Sequence, residues 1–205
     1  MKPQEEKGTM RQALALIGIV MLLVAAAACD RGNDGGKEGI AVSQSQTAKP
    51  SAWTETLAGY LPALGHRNWI VVADSAFPLQ TSPGIETIAS GEDHFAVLEK
   101  VLKAVDGAGH IRPKIWLDKE LAYVTEDLAR GADETKKRLE KMLEGRGAQS
   151  VLHEDLIAKL DQAGKTFKIV MVKTTLAVPY TTVFLELDCG YWPAENEARM
   201  RERMK

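Results

Sequence analysis

From Ser51 onward, short unbroken apolar runs alternate with stretches in which apolar residues recur every three or four positions. The first rhythm is that of buried strands, the second that of helices with one buried face. The spacing predicts a helix over 52–64, with Trp53, Leu57, Tyr60, Leu61 and Leu64 on one face, Ser51 as N-cap and Gly65 at its stop. Trp69 to Ala73 is an apolar run of strand length that ends at Asp74. A short strand is expected over 84–90, and a helix over 92–105 repeating Phe95, Leu98, Val101, Leu102 and Val105. Strands follow at 114–117, 167–172 and 181–187, the last two rich in β-branched residues. Helices are expected at 126–144, 153–163 and 195–204. Alternation of this kind predicts the α/β class: a single domain with a central sheet covered by helices.

The first 50 residues follow neither rhythm. Lys2, Lys7 and Arg11 precede an uncharged apolar run from Ala13 to Ala28 that stops at Cys29. This is the layout of a secretory signal over 1–28. The closing Ala26-Ala27-Ala28-Cys29 resembles a lipobox, departing from the usual form in having Ala26 where leucine is common. It implies that Cys29 is the lipidated first residue of the mature chain. An uncleaved N-terminal anchor is the alternative, although the run is short against the roughly 20 residues a bilayer span needs. Either way the folded domain is expected outside the cytoplasm, in the cell envelope of a bacterium. Residues 29–50, rich in Gly, Ser and Gln, read as a flexible tether, leaving 51–205 as one domain.

Composition narrows the function mainly by exclusion. With 26 basic and 28 acidic residues and a net charge of -2, the chain has no basic field for nucleic acid. Lipidation of Cys29 leaves Cys189 alone, so a disulfide framework is excluded. The nucleophile-elbow, phosphate-loop, zinc-protease and paired-cysteine patterns are absent, and His66, His94, His110 and His153 are too dispersed to predict a metal. What remains is a set of polar residues at strand ends, where open α/β sheets bind ligands. His66 lies between a helix stop and a strand, and Asp74 lies at the far end of that strand.

The segment from Leu64 to Pro78, LGHRNWIVVADSAFP, resembles the opening signature of the D-ribose pyranase and L-fucose mutarotase family, an L-G-H-x-D block, an apolar strand and D-A-x-[FL]-P. The segment from Lys173 to Thr182, KTTLAVPYTT, resembles that family's R-[ST]-G-E-x-x-P-Y-x-N, and His153-Glu-Asp-Leu156 resembles an H-E-x-F segment between the two blocks. The resemblance implies the family's α/β fold and sugar mutarotation: opening of a monosaccharide hemiacetal and reclosure on the other face or through another hydroxyl. No cofactor or metal is implied. A histidine suits the proton transfers because its ordinary pKa lies near 6.5.

By that resemblance His66 is the principal acid/base, Asp74 accepts from sugar hydroxyls or orients a histidine, Tyr180 donates to a sugar oxygen, and His153 binds or assists. Asn68 and Thr182 fall at substrate-binding positions, where the family has Asp and Asn, and Thr175-Leu176 stands where it has Gly-Glu. These departures leave open a second class of function, a non-catalytic sugar-binding or scaffolding lipoprotein. The resemblance also implies a homo-oligomer with sites near subunit boundaries. Whether Trp116, Tyr191 or Trp192 lines a pocket is not decided by the pattern.

Overall fold

A computed structural model describes residues 51–205; the expected signal segment, Cys29 and tether lie outside the described residues. Six strands form one sheet: β1 (Trp69–Ala73), β2 (Ile85–Ala89), β3 (Ile111–Asp118), β4 (Gln149–Val151), β5 (Ile169–Lys173) and β6 (Val183–Cys189). Their order is β2-β5-β1-β6-β3-β4. β5 pairs in parallel with β1 and β2, β3 pairs in parallel with β4, and β6 alone is antiparallel to its neighbours β1 and β3. The carboxyl ends of five strands and the amino end of β6 therefore meet along one edge.

Five helices complete the fold: α1 (Ala52–Tyr60), α2 (His94–Asp106), α3 (Ala132–Leu143), α4 (His153–Ala163) and α5 (Ala194–Glu202). Alternate strand residues explain the layering. Ile70, Val72, Val170, Val172 and Leu185 pack with Trp53 and Leu57 of α1, Leu98 and Val101 of α2 and Leu139 of α3. Val71, Ile169, Met171 and Phe184 pack with Leu156 and Leu160 of α4. Because both faces of β1 are covered, it reads as an unbroken apolar run rather than an alternating one. Burying each such side chain contributes roughly 1.5–3 kcal/mol, so this two-sided core is the main source of stability.

The structure moves several expected boundaries. The first helix becomes α1 plus a 3-10 turn over Leu61–Ala63 that carries Pro62. The helix expected from 126 begins only at Ala132, because the Glu126 carboxylate accepts the Gly131 N–H at 2.8 Å and acts as a cap. β3 starts three residues earlier than its apolar core suggests. Pro113 hides that start, but lies where β3 pairs only with β6, and β4 joins only at Trp116–Asp118. β4, three polar-to-apolar residues at the sheet's edge, was not expected at all. At Gly84 an added Cβ would lie 2.3 Å from the Gly164 carbonyl oxygen and 2.4 Å from that of Phe167, so the approach to β2 requires glycine. Among the described residues no helix is long and apolar enough to cross a membrane.

Candidate active site

The sheet edge where β1, β3, β4 and β5 end and β6 begins gathers most of the polar side chains singled out above. Asp74 directly follows β1 and is nearly buried. Its Oδ1 accepts the backbone N–H groups of Ala76 (2.9 Å) and Phe77 (3.1 Å), which folds the chain away from the strand. Its Oδ2 accepts the Thr182 hydroxyl at 2.9 Å, and Thr182 Oγ1 accepts the Asp74 N–H at 3.3 Å. Thr182 is fully buried and its hydroxyl is engaged in both directions, so it fixes the carboxylate from the start of β6. Lys173, the basic residue of the second block, donates its ammonium to the Phe77 carbonyl at 2.5 Å and ties β5 to the loop after Asp74.

Beside this pair stands His153, the first residue of α4. Its backbone N–H donates to both carboxylate oxygens of Glu120, each at 3.0 Å, so Glu120 caps the helix from the 3-10 turn over Lys119–Tyr123. Its ring Nδ1 meets Asp118 Oδ1 at 3.0 Å. Its ring packs T-shaped with that of Tyr180, centroids 5.5 Å apart at 81°. Asp118 ends β3 with a side chain 1% exposed, and its Oδ2 has no hydrogen-bond partner. Burial pushes its carboxyl up to about 6, against the opposing hydrogen bond from His153. A cleft of about 590 Å³ between the end of β3 and α3 has Asp118, Tyr123 and Lys136 in its wall.

Tyr180 is held at φ +61 after Pro179, a backbone region that normally calls for glycine. Thr181 Oγ1 closes this turn by donating to the Val178 carbonyl at 2.7 Å, and Val178 packs with Val124 and Ala132. Arg67, next to His66, is the other non-glycine residue at positive φ among the described residues. Backbone strain thus falls in both sequence blocks.

A second histidine lies behind Asp74. His94 opens α2, is fully buried, and places Nδ1 3.1 Å from Thr174 Oγ1. That hydroxyl already donates to the Ala73 carbonyl at 2.8 Å, so His94 Nδ1 carries the proton and Nε2 is a bare, unpartnered acceptor. Burial pushes the imidazole down to about 4 although Asp74 and Asp93 favour its charged form.

His66 is elsewhere. It sits exposed in the turn before β1, at the opposite end of the sheet from Asp74. Asn68 holds that turn: Oδ1 accepts the Gly65 N–H at 2.7 Å and Nδ2 donates to the Lys168 carbonyl at 3.1 Å. Tyr191 and Trp192 follow β6 at this same end, and Trp192 Nε1 donates to Glu197. Trp116 donates to Glu186 from the middle of β3. Within one chain the structure therefore brings together Asp74, Thr182, His153 and Tyr180, and separates them from His66 and Asn68. Sequence reasoning missed Asp118, Glu120 and His94. Asp118 carries the same signal as Asp74, an aspartate directly after an expected strand, but it lies outside the three segments that carry the family resemblance. Among the described residues no group of three or more His, Cys, Asp or Glu side chains could hold a metal ion.

A model of the RbsD / FucU transport protein family matches residues 48–191. No curated protein matches. Among solved structures, Bacillus subtilis RbsD complexed with D-ribose is 20% identical, covering 68% of this chain and 96% of that one, at TM-score 0.49. The fucose mutarotase from Streptococcus pneumoniae in complex with L-fucose is 18% identical over 65% of this chain and 91% of that one, at TM-score 0.45. FucU from Bifidobacterium longum is 16% identical over 65% and 94%, at TM-score 0.41.

Proposed function

The chain belongs to the RbsD / FucU family, and on that premise we propose that it is a monosaccharide mutarotase or pyranase working without a cofactor. The observation that carries this reading is the convergence of Asp74, His153 and Tyr180 at the carboxyl edge of the sheet. Ring opening needs a base to take the anomeric hydroxyl proton. As the C1=O bond forms, the bond from C1 to the ring oxygen breaks, and an acid protonates the oxygen released. Rotation about C1–C2, or capture by another hydroxyl, followed by the same transfers in reverse, yields the other anomer or ring form. His153 provides one proton-transfer group, Asp74 an acceptor for sugar hydroxyls and Tyr180 a donor and an apolar wall.

The second proton-transfer group is His66, supplied by a neighbouring copy. In one chain β1 separates His66 from Asp74 by on the order of 20 Å, given a rise of ~3.3 Å per residue. The two ends can meet only if one copy's amino edge docks on the next copy's carboxyl edge. Such a heterologous contact closes into a ring when the rotation allows. The domain is read as tethered through residues 29–50 to a lipidated Cys29, outside the cytoplasm; the apolar run ending in Ala-Ala-Ala-Cys supports this.

The test is exchange NMR on ribose, fucose, galactose and glucose with the purified full-length chain, using His153→Ala and Asp74→Asn as controls. Acceleration of anomer or ring-form exchange that both substitutions abolish supports the reading. A second reading, sugar binding without turnover, is favoured by one observation: the Thr182 and Asn68 side chains are engaged within the chain, and Leu176 brings no carboxylate. Saturable binding with unchanged exchange in the wild type would select it.

A further inference from the structure

We propose that Asp118 is the positioning residue that makes His153 the general base of this site; the inference rests on the mutarotase reading above. Ionised, Asp118 can only accept, so its 3.0 Å contact fixes the proton of His153 on Nδ1. Nε2 is then the bare, basic nitrogen, and it has no hydrogen-bond partner among the described residues. Exposure follows the same division: the Asp118 side chain is 1% exposed, whereas that of His153 is 29% exposed. The anchoring carboxylate is thus inside, and the imidazole it holds is partly open to solvent. Three further contacts fix the ring's location: the two Glu120 oxygens on its backbone N–H and the T-shaped packing of the Tyr180 ring against the imidazole.

The arrangement is poor as a device for stability alone. Asp118 Oδ2 is buried with no donor to satisfy it, and burial outweighs the His153 hydrogen bond in its effect on the carboxyl. Glu120 and Asp74 add further negative charge nearby. A neutral side chain of similar size would fill the place at lower cost. A carboxylate is required, however, where an imidazole must be held in one tautomer and its cationic form supported while it carries the anomeric proton.

The test combines ¹⁵N NMR of the His153 ring nitrogens with exchange rates across sugar concentration, in the wild type, Asp118→Asn and Asp118→Ala. The wild type is expected to hold His153 with Nδ1 protonated and Nε2 bare, and both variants to populate the other tautomer. The saturating exchange rate is expected to fall on the order of 100-fold, with the half-saturating sugar concentration within about threefold of the wild type. A wild-type His153 protonated on Nε2, or wild-type acceleration that both variants retain, overturns the role of Asp118. A wild type that accelerates no sugar instead overturns the mutarotase reading, and the base role with it.

Discussion

His66 and Asp74 flank one strand, β1, eight residues apart in the chain and on opposite edges of the sheet. A site that uses both must draw them from different copies, and this makes complementation a direct test. His66→Ala and Asp74→Asn chains should each be inactive alone. Unfolded together and reassembled, they should recover part of the wild-type exchange rate, because mixed contacts pair an intact Asp74 with an intact His66. For two-copy mixing at equal amounts about a quarter of the contacts are of this kind. Recovery no greater than the sum of the separate chains would show that His66 takes no part across a subunit boundary.

Thr182 and Asp74 form a closed pair: hydroxyl to carboxylate at 2.9 Å, and backbone N–H to hydroxyl at 3.3 Å. Thr182→Val keeps the shape but leaves the nearly buried carboxylate oxygen and N–H without this partner. The expected loss in urea-induced unfolding is about 1–3 kcal/mol. Thr182→Ser, which keeps the hydroxyl, should lose less than Thr182→Val, and equal losses would assign the effect to packing instead.

β1 is legible to the residue in the sequence because both its faces are buried and its run is unbroken. α4 was likewise read to the residue, from His153 to Ala163. β3 is legible only in part, because Pro113 and Asp118 interrupt its apolar pattern, and since Asp118 lies in none of the segments that carry the resemblance, the partner of His153 is unmarked in the sequence. The pairing of Asp118 with His153 depends on β4 lying beside β3, and β4 is a three-residue edge strand with little hydrophobic signal. His94 is visible in the sequence only as one of four dispersed histidines inside the helix expected over 92–105; its burial arises from packing between α2 and the end of β5, which no local pattern shows.

His94 and Asp118 give stability opposite dependences on pH. The folded chain holds His94 at about 4 against an ordinary 6.5. Between those values the unfolded chain binds the extra proton, so acidification from pH 6.5 to 4 costs about 3 kcal/mol. Asp118 is held at about 6 against an ordinary 3.8, so there the folded chain binds the extra proton and acidification returns about 3 kcal/mol. In the wild type the two nearly cancel. Asp118→Asn should therefore be more stable than the wild type at pH 7.5, by up to about 3 kcal/mol, and converge on it near pH 4. His94→Gln should match the wild-type trend above pH 7 and exceed its stability near pH 4. Denaturation at several pH values checks both; variants that track the wild type across the range would refute the assignment.

Tyr180 holds its ring against His153 only by accepting a backbone angle of φ +61. For a residue with a Cβ that conformation costs about 1–2 kcal/mol, a cost glycine does not carry. Two substitutions separate the strain from the ring. Tyr180→Ala keeps the strain and loses the ring, whereas Tyr180→Gly loses both. Both should lose sugar exchange to the same extent, since both lack the hydroxyl and the wall beside His153. In chemical denaturation Tyr180→Gly should nevertheless be the more stable of the two by about 1 kcal/mol, after allowing for glycine's greater freedom in the unfolded chain. Equal stability would mean that the strain is no larger than the freedom glycine adds to the unfolded chain. An active Tyr180→Gly chain would remove the tyrosine from the site and leave the Pro179 turn as a structural corner only.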